Sequence, residues 1–329
     1  MMSLITSLLY GLTFIAISPI ALGLEQWATA RLQGRTRPWR FILQPYRDIQ
    51  KLWGIASNRP ETASIFFALT PPLLLSITIV LIFTIPWSVG QPLLSPDPIL
   101  LVYLLGLYRF LSSLASLDGA TPFAGMGSAR TMFLNFITEI NFFLWVAALI
   151  LYWQSQQKQI DIAHLVQAHS ELNWQIFQRP ELLLLAIVLG ILILYEMERP
   201  PVGDPSSHLE LAMGEKALSL AWQGRDLAIL KMAEMIRLTF LVGLFVDLFL
   251  PGSWPLLNGW SPTIYFLQGL FLLKLLLAIL VMILVTSARA KLRLGRVAGP
   301  AFFAGALSLL SIVFTITVHL YVYVQKGGS

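Results

Sequence analysis

Cysteine is absent from the 329 residues, and only 12% of them are charged. Without thiols the chain has no disulfide, no thiolate metal site and no iron–sulfur cluster ligated by its own cysteines. Any redox centre it serves must belong to a partner. Histidine is scarce as well, with four in all. His164 and His169 stand in a polar stretch at a spacing that does not suit a helical metal pair, so they read as solvated surface. His319 lies in an apolar run and reads as a hydrogen-bonded packing residue. A phosphate-cradling loop is missing too. Residues 119–127 are rich in glycine, but they follow no strand and lack the lysine spacing, so they read as a tight turn. Catalysis by this chain alone is not expected, and no cofactor or metal bound by this chain is expected either.

What the chain has in quantity is apolar sequence: 57% of residues are hydrophobic and the mean hydropathy is +0.73. A soluble domain carries about 25% charged residues. The balance predicts an all-α, polytopic membrane protein, a single integral membrane domain. A spanning helix needs about 20 residues at about 1.5 Å each. Eight segments approach or exceed that length: 5–24, 65–87, 99–117, 132–153, 182–197, 227–250, 264–286 and 301–324. The first basic residue is Arg31, so the opening apolar run lacks the charged start of a cleavable signal and reads as the first span.

The basic residues set an orientation. Arg31, Arg35, Arg37, Arg40, Arg47, Lys51 and Arg59 follow the first span, and Arg130 the third. Arg199, Lys216, Arg225 and Lys231 follow the fifth, and Arg289, Lys291, Arg293 and Arg296 the seventh. The opposite loops hold only Lys158, Arg179 and Lys326. The excess predicts that residues 25–62, 118–130, 198–226 and 287–300 are cytoplasmic loops. Both termini then lie on the outer, periplasmic side of the cytoplasmic (inner) membrane. The outer loops 88–98 and 251–263 read as plain turns, and 154–181 as a longer polar loop without chemistry.

Within the first cytoplasmic loop, Tyr46, Ile49 and Trp53 recur on one helical face while Arg47, Asp48 and Lys51 lie elsewhere. This short amphipathic helix suits either the headgroup layer or the underside of a partner. The central stretch 195–215 gathers five of the 17 acidic residues: Glu196, Glu198, Asp204, Glu210 and Glu215. Ionisable groups inside spans are costly, so each is a functional candidate. Arg109 and Glu139 fall at similar depth in the third and fourth spans, which allows an Arg109–Glu139 pair for an ion path or for packing. Lys231, Glu234 and Arg237 share a face at the start of the sixth span. Lys274, mid-way along the seventh, must pair, deprotonate or meet water. Asp247 suits an exit group or an interfacial one.

Four stretches together resemble one family. They are residues 44–52 (Gln-Pro-Tyr-Arg-Asp-Ile-Gln-Lys-Leu), 117–130 with Asp118-Gly119-Ala120-Thr121-Pro122-Phe123 at its front, 196–210, and 288–294 with Arg289 and Arg293. The family is the core membrane subunit shared by respiratory complex I (subunit 1, or H) and membrane-bound NiFe hydrogenases such as formate hydrogenlyase. Departures place this chain nearer the hydrogenase-type branch. Gly34-Arg35-Thr36-Arg37-Pro38 replaces a glycine–proline-rich motif of complex I, Val202-Gly203-Asp204-Pro205 replaces a proline–phenylalanine–aspartate run, and Ser206 and His208 stand at acidic positions. The resemblance implies an anchor for a peripheral arm of hydrogenase-like large and small subunits carrying iron–sulfur clusters and a NiFe site, coupled to antiporter-like membrane subunits that move protons or sodium. It implies Glu139, Glu196, Glu198, Asp204, Glu210 and Glu215 as path residues, beside Arg109, Glu234 and Lys274 from the reading above. It implies docking near Arg47, Asp48, Lys51, Asp118, Arg130, Arg289 and Arg293. The alternative is a complex I subunit whose loops hold a quinone headgroup. A stand-alone ion transporter is less favoured, because the two halves show no internal repeat.

Overall fold

A computed structural model gives the fold, and it describes residues 2–85, 97–155, 179–203, 214–250, 264–288, 292 and 294–327. All regular structure among the described residues is helical: α1 (Met2–Leu32), a 3-10 turn (Trp39–Leu43), α2 (Gln44–Trp53), α3 (Ile65–Thr84), α4 (Pro98–Asp118), α5 (Pro122–Ser155), α6 (Pro180–Glu196), α7 (Glu215–Ser219), α8 (Gly224–Phe249), α9 (Ile264–Ser287) and α10 (Leu294–Gly327). Each of the eight expected spans coincides with a long helix. Five stretches are long and apolar enough to cross a membrane: Ile65–Thr84, Pro98–Asp118, Pro122–Gln154, Gly269–Ser287 and Arg296–Val318. α6 has 17 residues. α8 is ionic over its first half and apolar over its second.

Two helix groups meet at a seam. α4, α5, α6 and α10 pack on one another, and α1, α2, α3 and α9 gather around α8. Contacts of α3 with α4 and of α6 with α8 join them. α8 is enclosed, with every residue from Met235 to Leu244 buried. α9 and α10 turn Leu277, Val281, Leu284, Phe302 and Phe303 outward, as helices facing lipid do. A helix satisfies its own backbone polar groups, so such apolar side chains need no water beside them.

Three boundaries differ from the hydropathy reading, each for a local reason. Pro122 opens α5 with a residue suited to a first turn, so the loop expected over 118–130 shrinks to a tight turn at Gly119–Thr121. Pro45 does the same for α2, which begins at Gln44. α10 begins at Leu294, inside the loop expected over 287–300. α3 starts where Ser64 caps Phe66, and the Asp118 carboxylate in turn accepts from the Ser64 amide (2.9 Å) and hydroxyl (2.6 Å).

α2 lies against α1 and α8, with the Tyr46 hydroxyl donating to the Ala16 carbonyl. Arg47 and Lys51 are exposed, and so is much of Trp53. The chain after α2 is held to the start of α8. Arg59 donates to Asp226 at 2.9 and 3.3 Å, and Arg225 donates to the Trp53 carbonyl at 3.2 Å. Gly224 closes this corner: its φ of +58° favours glycine, and a Cβ there would press on the Ile55 and Ala56 carbonyls.

Candidate functional site

The seam between the helix groups is where the buried charge sits. Arg109 projects from α4 and is almost fully enclosed. Its guanidinium meets the Glu196 carboxylate at 3.1 Å and donates to Asn135 Oδ1 (2.7 Å) and the Tyr195 carbonyl (2.6 Å). The expected Arg109–Glu139 pair is therefore corrected: Glu196, at the C-terminal end of α6, takes the guanidinium. Glu139 remains beside it. Its carboxylate rests against Gly106, which has no side chain to exclude it. Glu139, Arg109, Asn135, Thr138 and Glu196 line a gap of about 10 Å³, room for about one water molecule.

Arg237, fully buried on α8, stands on the other flank of Glu196, 3.7 Å away. It also pairs with Glu215 at the start of α7 and stacks on the Tyr108 ring with 4.2 Å to the centroid. Glu196 thus bridges two guanidiniums, and Arg237 bridges two carboxylates. The remaining links run through the segment after α6. Arg199 pairs with Glu25 of α1 at 2.9 Å, both buried. Glu198 accepts from the Glu215 amide (2.7 Å) and the Thr131 hydroxyl (3.3 Å).

Glu198 has φ +44°, in the left-handed region that a non-glycine residue adopts at a cost of about 1–3 kcal/mol when its surroundings hold it there. Two glycines make those surroundings. A Cβ at Gly214 would collide with the Glu198 carboxylate, and one at Gly203 with its carbonyl. Gly203, which in the sequence only marks a departure from a pattern, has a steric reason to be glycine.

This network floors a cavity of about 590 Å³ between α1, α2, α4, α7 and α8. Glu198, Arg199, Glu215 and Glu234 line it, with Tyr108, Ser112, Asp48, Lys216 and Lys231, and apolar wall comes from Leu22, Leu227, Leu230 and Met235. Glu234 interacts with Arg199, Arg237, Glu215 and Glu25. Six glutamates (Glu25, Glu139, Glu196, Glu198, Glu215, Glu234) thus gather round three arginines, with two lysines on the cavity side only. Buried charge must be balanced locally.

Burial pushes the Glu198 carboxyl above its usual range, and the Glu215 carboxylate adds to that, while the Glu215 amide, Arg109 and Thr131 pull it back. A carboxyl that titrates higher folded than unfolded stabilises the fold fully below its unfolded value of about 4.3 and loses that contribution as pH rises through the folded value. Through this group, thermal stability is expected to fall from mildly acid towards neutral pH. Glu198→Gln is expected to flatten the slope, as read by unfolding curves across pH. An unaltered slope in the variant would assign the dependence to another group.

The other sequence candidates lie as follows. Asp48 lines the cavity from α2, while Arg47 and Lys51 face away from it. Asp118 is engaged in holding Ser64. Arg130 is half-buried on α5. Lys274 is buried on α9, away from the cavity. Asp204, Glu210, Arg289 and Arg293 fall outside the described residues. Glu25 and Arg199 were missed as site residues. The first span ends at Leu24 by hydropathy, which leaves Glu25 looking like a loop residue, and Arg199 counts there only towards orientation. Among the described residues no group of three His, Cys, Asp or Glu could hold a metal.

The resemblance read from the motifs holds over nearly the whole chain. Residues 4–317 match the NADH dehydrogenase family. Formate hydrogenlyase subunit 4 of Escherichia coli (strain K12) is 28% identical over 304 residues, which cover 89% of this chain and 92% of that protein. Hydrogenase-4 component C of the same organism is 29% identical over 252 residues, 75% of each. A solved chain of the membrane-bound sulfane sulfur reductase, an archaeal respiratory membrane complex, superposes with a TM-score of 0.79 at 21% identity over 96% of this chain and 100% of that one. At that identity the likeness speaks for the fold.

Proposed function

The chain belongs to the NADH dehydrogenase family, and we propose that it is the membrane-anchoring and ion-coupling subunit of a multisubunit energy-converting redox complex of the hydrogenase or formate hydrogenlyase kind. The observation that carries this reading is the line of buried and half-buried carboxylates and guanidiniums from the cavity, through Glu215, Arg237, Glu196 and Arg109, to the gap that Arg109 shares with Glu139 of α5. The names of the two relatives from Escherichia coli support the kind of complex.

In this reading a peripheral arm of hydrogenase-like large and small subunits docks over α2, residues 54–64 and α7, on the cytoplasmic side of the inner membrane. The iron–sulfur clusters and the NiFe site belong to that arm, and this chain binds neither. Reduction of a centre near the cavity changes the local charge. Carboxylates enclosed in apolar surroundings respond to such a change by taking up or releasing protons. The line of groups passes that response to antiporter-like subunits beside it, which move protons or sodium.

The test is purification of the tagged chain from its own membranes. Co-purifying hydrogenase-like and antiporter-like subunits are expected. A chain that comes out alone and moves ions in liposomes would overturn the reading. A second reading has its own observation. The cavity volume of about 590 Å³ lies within the range of about 300–1,000 Å³ typical of small-molecule sites, and its walls are part apolar, part ionic, as a quinone headgroup would need. Quinone-dependent turnover of the purified complex that is lost on Ser112→Leu would favour it.

A further inference from the structure

The chain between α1 and α2 carries charge that the cavity does not use. Arg31, Arg35, Arg37 and Arg40 fall close together, and no acidic residue stands between Glu25 and Asp48. None of the ion pairs among the described residues involves these four arginines. Orienting a span needs only that such residues be present. Here they are also held in place. The Trp27 indole donates to the Arg37 carbonyl at 3.2 Å. The Arg37 guanidinium lies over the Phe41 ring, 4.0 Å from its centroid, and that of Arg31 over the Trp27 ring at 5.5 Å. A guanidinium stacked on a ring keeps the N–H donors of its edge for another acceptor.

The level of this segment is set by α1. The helix runs on to Leu32, and the chain then returns until Ile42 meets Gly23, where a Cβ would collide with the Ile42 carbonyl. Gly23 adjoins Leu24, where the hydropathy of the first span ends, so the 3-10 turn Trp39–Leu43 lies at the edge of the apolar layer. Deeper still, the Tyr46 hydroxyl reaches the Ala16 carbonyl. The turn nevertheless leaves Trp39 67% and Leu43 42% exposed, and Arg35 and Arg40 are exposed as well. Tryptophan is enriched where hydrocarbon gives way to headgroups.

α1 continues this surface into the membrane. Leu9, Leu12, Ala16, Ile20, Gly23 and Trp27 follow one another at spacings of three and four, so they share one helical face. The first four are exposed on it, and the last two are where the turn sits. From Leu12 to Gly23 is about 16 Å, close to one leaflet of a hydrocarbon core about 30 Å thick. An apolar strip one leaflet long therefore ends at a cluster of guanidiniums with an exposed tryptophan.

We propose that this face of α1 and the turn after it form a binding site for an anionic phospholipid, with an acyl chain along Leu12 and Ile20 and the headgroup phosphate at Arg35 and Arg40 beside Trp39. A phosphodiester presents two oxygens that share one negative charge, which suits the planar fork of an arginine. Phosphatidylcholine cancels its own phosphate with an ammonium, so the cluster selects a headgroup with net negative charge. A soluble protein partner would match the arginines but not an apolar strip that runs a leaflet's depth into the membrane.

The test is photolabelling of the full chain, purified with the subunits that accompany it and reconstituted in phosphatidylcholine vesicles. A small fraction of phosphatidylglycerol or, in a parallel sample, of phosphatidylcholine carries a diazirine close to its headgroup, and mass spectrometry locates the adducts. Residues 35–43 are expected to be labelled several-fold more by the phosphatidylglycerol probe, with the excess shrinking at high salt. Unlabelled phosphatidylglycerol should compete, and inorganic phosphate should not. Arg35→Gln with Arg40→Gln should bring the two probes to the same yield while the chain keeps its elution volume. Equal labelling by the two probes in the parent would show an ordinary lipid boundary and overturn the proposal, as would a preference that survives both substitutions. No labelling of 35–43 by either probe would show a turn covered by a protein partner, and displacement by inorganic phosphate would show a site for soluble anions; either result also overturns it. The parent's preference decides even if the double variant does not accumulate, and it stands apart from whether the chain serves a hydrogenase-type complex.

Discussion

Arg237→Met is expected to lower the stability of the folded chain by about 3–5 kcal/mol, the cost of leaving a buried carboxylate without its partner. Against a total of about 5–15 kcal/mol for a folded domain, that loss is large enough to cut the amount found in membranes. The guanidinium is fully buried and holds Glu196 and Glu215 while stacking on Tyr108. Methionine keeps the bulk and the contact with the ring, so what is lost is the charge. Arg237→Lys should recover only part, because an ammonium cannot bridge two carboxylates and lie flat on a ring at once. Adding Glu215→Gln to Arg237→Met should restore some stability, since one of the stranded charges is then gone. Thermal unfolding of the parent, Arg237→Met, Glu215→Gln and the double variant forms a double-mutant cycle. Additive losses would show that Arg237 and Glu215 do not hold each other, and a methionine variant as stable as the parent would show that the cluster does not depend on Arg237 at all.

The helices were legible in the sequence because membrane spans announce themselves by length and hydropathy, and each expected span meets a helix. The boundaries were less so. Hydropathy ends the first span at Leu24, yet α1 continues to Leu32 because Glu25 finds Arg199 across the seam and need not leave the helix. The cluster was legible as a set of residue types but not as a set of pairs. Depth along the spans matched Arg109 with Glu139, and depth was right: both line the same gap. What depth cannot supply is azimuth. α6 stops at Glu196, one turn earlier than a full span would, and that end comes to the level of Arg109. Charge at a helix end meets charge in the middle of its neighbour. Gly203 and Gly214 carried a signal that no charge count registers, since each is glycine to make room for Glu198.

The carboxylates at the two ends of the line should be separable from the redox chemistry. Glu139→Gln and Glu215→Gln are each expected to leave the complex assembled and turning over while ion translocation falls by about 100-fold, the low end of what a positioned proton-transfer group contributes. Glutamine keeps the length and a hydrogen-bonding oxygen but cannot change its charge. At Glu139 it still fits against Gly106 and beside the gap shared with Arg109 and Glu196. At Glu215 the backbone amide that Glu198 accepts from is untouched, so the turn after α6 keeps its hold. Glu210→Gln carries the same expectation from the sequence alone. Asp97→Asn, exposed at the start of α4 and far from the cavity, keeps its cap on the Ile99 amide, serves as the control and should alter neither quantity. The measurement is proton or sodium uptake per electron by the reconstituted complex, beside its redox rate and its elution volume. If Glu139→Gln and Glu215→Gln both keep the parental ratio, the line of groups is a scaffold for the seam and carries no ions. If the ratio falls for Glu215 alone, the path leaves the line before α5, and Glu139 only balances the charge of Arg109.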